Sequence, residues 1–223
     1  MTTLGHAILP RILAGMLLLL GCGVATADTP CAAFEGAVNP RLIQVMRNAA
    51  RDGRLFQVVP GASKVGFCVN WLFGPEFRAE TANIVGGLAL PPAPRQYGEA
   101  LLLIRTSGLM SNDDDLLKLA RGPEFMDTER YPDILFIGRA FQWVAPLQGY
   151  IYGDLTLHGH TQPVVFDIRI QVLETGTGDL PARILLTGTS QVSRRRFGMD
   201  RYRFLVYDTV NLCLSVELVA REK

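Results

Sequence analysis

The chain has 223 residues, with 22 Lys and Arg against 21 Asp and Glu. That balance leaves no overall field for nucleic acid or for an anionic membrane surface to feel. Apolar residues make up 48% and charged ones only 19%, which excludes a disordered chain and requires a substantial core.

In chain order, Arg11 opens an apolar stretch from Ile12 to Val24, shorter than the roughly 20 residues a membrane-spanning helix needs. Ala25-Thr26-Ala27 follows with the small-x-small spacing of a signal-peptidase site. Residues 1–27 are therefore expected to be a signal peptide, and the mature protein to be periplasmic or secreted. Leu19-Leu20-Gly21-Cys22 offers an alternative, a loose lipoprotein box that would anchor the protein in the envelope through Cys22. Past the signal lie three cysteines, Cys31, Cys68 and Cys213, and none forms a C-x-x-C pair of the kind metal sites favour.

Residues 28–54 read as an N-terminal extension carrying a helix over 39–53. Asn39 suits the N-cap, Pro40 the first position and Gly53 the stop, while Leu42, Val45, Met46 and Ala49 form one apolar stripe. Such a helix either packs against the outside or an end of the domain, or docks on a membrane-associated partner.

From residue 55 the period changes to two, and residues 55–223 read as one domain. Val65, Phe67, Val69 and Trp71 alternate with Gly66, Cys68 and Asn70. Irregular strands are expected over 77–90, 99–107 and 134–144. In the last of these, Leu135, Ile137, Phe141 and Trp143 are assigned to one face and Ile134 and Phe136 to the other, as if both faces were covered. Between the second and third of them, 112–121 looks helical, with Asp113, Asp114 and Asp115 complementing the helix dipole. Three clean alternations follow: Ile151, Leu155 and Leu157; Val164, Phe166, Ile168, Ile170 and Val172; Ile184 and Leu186. The last strand carries Val210, Leu212, Leu214, Val216 and Leu218 on one face. One wet and one dry face per strand is the mark of an antiparallel sheet. About eight such strands hide their edges by closing, so the expected fold is all-β: an eight-stranded barrel with helical excursions and an extra N-terminal helix. Closure would bring the first and last strands together, and with them Cys68 and Cys213, the expected disulfide.

Four stretches of the second half resemble the YceI-like family of exported, lipocalin-like domains. They are Phe125-Met126-Asp127 with Tyr131-Pro132, the hairpin Gly153-Asp154-Leu155-Thr156-Leu157-His158-Gly159-His160-Thr161-Gln162-Pro163-Val164, the run Arg194-Arg195-Arg196-Phe197-Gly198, and the terminal strand Val210 to Leu218. Trp71-Leu72-Phe73-Gly74 with Phe77 is similar to a turn in some members. The resemblance covers roughly residues 55–221 and implies a barrel with a hydrophobic tunnel that binds polyisoprenoids or other long lipids. The chain departs from the pattern at Asn70-Trp71-Leu72, at Lys118-Leu119 and at Arg196, and the 39–53 helix lies outside it.

On that reading the lipid lies against Phe67, Val69, Trp71, Phe77, Phe166, Ile168, Ile184, Leu186, Leu212 and Leu214, and Arg194 is the candidate for a head group. No catalytic set is specified: Ser190 and Ser193 lack a Gly-x-Ser-x-Gly elbow. His158 and His160 are too few ligands for a metal site. No cofactor is expected, only an apolar lipid ligand. An enzyme acting on such a lipid would draw on His158, His160 and Arg194.

Overall fold

The computed structural model describes Phe34 and residues 36–90, 98–176 and 180–221. The signal peptide, Cys22 and Cys31 lie outside the described residues. Helix α1 (Pro40–Arg51) begins as predicted, with the Asn39 side chain accepting from the Arg41 N–H at 2.8 Å. It ends two residues before the predicted limit, where Asp52 caps it and Gly53 turns left-handed at φ 67°.

Eleven strands follow among the described residues: β1 (Leu55–Val58), β2 (Lys64–Trp71), β3 (Phe77–Thr81), β4 (Ile84–Ala89), β5 (Glu99–Arg105), β6 (Met110–Ser111), β7 (Asp133–Ala145), β8 (Gln148–Leu157), β9 (His160–Glu174), β10 (Arg183–Ser193) and β11 (Val206–Ala220). Helix α2 (Asp114–Arg121) sits between β6 and β7, with Asp113 as its N-cap. Every pairing is antiparallel, and eight strands close a ring in the order β1-β4-β5-β7-β8-β9-β10-β11 and back to β1. This is the expected eight-stranded barrel.

The three remaining strands extend one side of that ring. The last residues of β11 pair with β1, whereas its 206–215 segment pairs with β2. Strands β1 and β2 are thus one long strand interrupted at 59–63. There the Ser63 hydroxyl donates to the Val59 carbonyl and accepts from the Glu217 N–H, both at 3.0 Å, so the break leaves no backbone group of Glu217 unsatisfied. Likewise β3 continues β4, and β6 continues β5. Strand β6 ends the sheet order, and β5 leaves β7 at the Arg105–Asp133 pair. The barrel is therefore closed in the half that contains β1 and splayed in the half that contains β2, β3 and β6. Helix α2 and the segment after it fill the gap.

The closed half is filled by Phe56, Leu88, Phe141, Ile184, Val216 and Leu218. A second cluster lies outside the barrel. Leu42, Ile43 and Met46 of α1, with Phe34, cover Leu101 and Leu103 of β5, and Leu135 and Ile137 of β7 pack against them. The run Ala100 to Ile104 is apolar without alternation because both of its faces are covered. Of the apolar stripe of α1, Leu42, Met46 and Ala49 are spent in this contact, while Val45 stays half-buried outside it.

One face assignment in β7 is corrected. Leu135 and Ile137 do face outward under α1, but Phe141 lies in the main core and Trp143 packs against it, together with Phe136. The register against β8 shifts between Gly138 and Ala140, and this one-residue bulge moves the side chains from Ala140 to Trp143 to the opposite face, before a second shift between Trp143 and Ala145.

A candidate lipid-binding cavity

The splayed half encloses a cavity of about 340 Å³, inside the roughly 300–1,000 Å³ range of small-molecule sites. Seven of the ten residues assigned to the lipid from sequence line it: Phe67, Val69, Trp71, Phe77, Phe166, Leu212 and Leu214. Val65, Phe67, Val69, Leu212 and Leu214 point inward yet are only half-buried, because they face empty space rather than one another. Ile168, Ile184 and Leu186 do not line it. Each is buried in the closed half, where the ring is tight enough for opposing side chains to meet. Leu186 borders only a separate void of about 30 Å³. Leu102, Phe136, Phe166 and Leu214 border both spaces and form the floor between them, with the Phe136 and Phe166 rings edge to face at 5.3 Å.

The far wall comes from parts the strand pattern did not reveal. Leu116, Leu119 and Ala120 turn one face of α2 into the space, and Phe125, Met126, Tyr202 and Leu205 close around it. The i, i+3, i+4 spacing in α2 is the signal that could have found the first three. Nothing local marks Tyr202 or Leu205.

Arg194 borders the cavity as expected, but its guanidinium is engaged by the backbone. It is 2% exposed, and it donates to the carbonyls of Met199, Arg201, Val206 (3.0 Å) and Tyr207 (3.1 Å). Those bonds occupy four of its five N–H groups and gather the whole 199–207 loop around one cation. Burial pushes its pKa down, Asp208 partly opposes that, and its charge centre lies 5.7 Å from the Phe125 ring. This geometry makes Arg194 the bracket that holds the loop in place.

The YceI-like domain model matches residues 56–218, well over half of the chain. The chain belongs to the YceI-like family. A UPF0312 protein of Pseudomonas savastanoi is 30% identical over 99 residues, 43% of this chain and 50% of the relative, so the chain spans about half the length of that curated relative. A UPF0312 protein of Vibrio cholerae is 26% identical over 141 residues, 62% of this chain and 72% of the relative. Among solved structures, Burkholderia cenocepacia BcnA superposes with a TM-score of 0.62 at 18% identity, covering 72% of this chain and 98% of BcnA. A polyisoprenoid binding domain from Saccharophagus degradans, implicated in plant cell wall breakdown, gives 0.55 at 14% identity, covering 74% and 98%. At these identities the two structures share the fold with this chain.

In this YceI-like chain the His-Gly-His turn serves the hairpin. His158 and Gly159 take φ of 52° and 72°, both positive as the tight turn between β8 and β9 requires. A Cβ on Gly159 would also fall 2.7 Å from the Tyr131 ring. His158 Nδ1 is bonded to the Phe197 carbonyl at 2.9 Å. Among the described residues, no group of three or more His, Cys, Asp or Glu side chains converges as a metal site would require.

The expected disulfide is corrected. Strands β2 and β11 are neighbours, but Cys68 stands opposite Asn211 and Cys213 opposite Gly66, and both cysteines are free thiols. Diagonal partners hold their Cβ atoms about 7 Å apart, whereas a disulfide needs roughly 4 Å. The Cys68 thiol is instead pushed to higher pKa by burial and by the Glu76 carboxylate beside it.

Proposed function

We propose that the protein carries or sequesters a long apolar lipid, polyisoprenoid or quinone-like, in the cell envelope, without chemical change to it. The observation that carries this reading is the cavity of about 340 Å³, whose one bordering cation among the described residues, Arg194, is already committed to backbone carbonyls. Such a space binds by removing methylenes from water, at about 0.8 kcal/mol each. It selects by girth and length, because few polar groups converge on it. The fold shared with a polyisoprenoid binding domain supports the same class of ligand. Export is supported by the apolar stretch Ile12 to Val24 ahead of Ala25-Thr26-Ala27. The burial of Leu42, Ile43 and Met46 against the barrel weighs against a docking module built on α1.

Native mass spectrometry of gently purified protein is expected to show a complex heavier than the polypeptide by one apolar ligand, released by organic solvent. Titration with farnesol or a longer isoprenoid alcohol should change the emission of Trp71, which lines the cavity. A protein that is ligand-free from several hosts and also silent to every isoprenoid would rule the reading out.

A further inference from the structure

Six large apolar side chains exposed among the described residues gather at the splayed end of the barrel: Leu72, Phe73, Leu119, Tyr202, Phe204 and Leu205. Phe73 is 71% and Phe204 88% exposed, the highest values among the large apolar side chains, and neither lines the cavity. The backbone holds this group together. Trp71 pairs with Val206, the Leu72 N–H donates to the Leu205 carbonyl at 2.8 Å, and the Tyr202 ring stacks on Phe125 at 5.8 Å. Tyr202, Leu205 and Leu119 have a second side that lines the cavity, so the apolar rim outside is continuous with the apolar wall inside.

Charge is distributed unevenly around this rim. The segment 194–203 holds Arg194, Arg195, Arg196, Arg201 and Arg203 against the single acid Asp200. Arg194 and Arg195 are engaged, the latter by Asp208. Arg201 and Arg203 make only long, exposed contacts, to Glu124 at 3.7 Å and Asp200 at 3.5 Å, and Arg196 forms no ion pair among the described residues. Protruding phenylalanines flanked by loosely held arginines match the layered chemistry of an anionic bilayer, with acyl chains beneath phosphates. The near-zero net charge of the whole chain conceals this local excess.

We infer that the 72–75 turn and the 199–205 loop form a membrane-docking rim. It seats the cavity mouth on an anionic phospholipid surface, so that a lipid passes between bilayer and barrel without crossing water. The inference rests on the cavity reading above and adds the partner from which the ligand is taken. Phe73 and Phe204 enter the acyl boundary, while Arg196, Arg201 and Arg203 face the head groups. Loss of those contacts slows transfer and leaves the cavity intact.

The test uses the mature protein in sedimentation with vesicles of phosphatidylethanolamine and phosphatidylglycerol or of phosphatidylcholine alone, beside a farnesol titration in solution. The wild-type protein is expected to sediment with the anionic vesicles. Phe73→Asp with Phe204→Asp should weaken that association by about tenfold or more, with the farnesol titration unchanged. Arg201→Glu with Arg203→Glu should lower binding to the anionic vesicles by about tenfold and leave phosphatidylcholine binding as it was. A protein that takes up farnesol but sediments with neither vesicle overturns the docking rim and spares the cavity. One that ignores farnesol yet sediments through its two phenylalanines overturns the cavity and keeps the rim. If the phenylalanine variant instead converts a dimer to a monomer with vesicle binding unaltered, the rim is a contact between two copies and the inference fails.

Discussion

The closed and splayed halves of the barrel share the long strand β11 and its apolar alternation, yet one is filled and the other hollow. Along β11, Val216 and Leu218 are buried by neighbours, whereas Leu212 and Leu214 in the same phase are only half-buried and border the cavity. What changes between them is the partner: β1 closes the ring beside the first pair, and β2 leads the sheet outward beside the second. Alternation therefore marks which side chains face inward, and strand closure decides whether they meet.

Four sets of substitutions would break or sharpen that contrast. The largest effect is expected for Arg194→Met, which leaves the carbonyls of Met199, Arg201, Val206 and Tyr207 without their shared donor. Urea unfolding should show a loss of about 4 kcal/mol, and Arg194→Lys should recover little, since an ammonium cannot reproduce the planar fork. A loss under about 1 kcal/mol would mean that the splayed end holds its loop by other means. Next, Ile184→Ala in the closed half should cost about 3 kcal/mol, and Phe67→Ala in the splayed half only about 1–2 kcal/mol, because Phe67 already faces a void. Equal costs in denaturant melts would deny the difference in packing.

Filling should act in the opposite sense. Leu212→Trp is expected to occupy the cavity, shift stability by less than about 1 kcal/mol and reduce isoprenoid binding by about tenfold or more, while Leu186→Trp overpacks the closed half and costs about 2 kcal/mol. Tight isoprenoid binding by the Leu212 variant would place the ligand elsewhere. The smallest effect concerns Asp208, which Arg195 and Ser193 hold down from 3.8 to about 2. Because its folded pKa is depressed, its contribution is complete above about pH 4 and disappears as pH falls towards 2. Asp208→Asn should therefore cost about 1 kcal/mol at pH 7, after allowance for the exposed partner, and almost nothing at pH 2. A cost that does not change with pH would remove the ion pair from the account.

Much of this was legible in the residues. The N-cap at Asn39, the acidic start of α2, the His158-Gly159 turn and the inward phase of β2, β8, β9, β10 and β11 follow from local chemistry that acts over a few residues. Two of the errors share one cause. A bulge at Gly138–Ala140 reversed the faces of Phe141 and Trp143, and a two-residue register offset separated Cys68 from Cys213. Both depend on how one strand lies against another, which no single strand encodes.

By itself, the sequence determined that most of the chain is an antiparallel sheet with one apolar side, with a family-specific hairpin within it and capped helices beside it. Only the tertiary structure decided that β2, β3 and β6 splay away from the ring, that α2 supplies the far wall, and that Arg194 is held by four carbonyls. The physical reason is range. Propensity, capping and periodicity act within a turn or a strand, whereas a cavity is the space left between elements distant in the chain, fixed by where their backbones part.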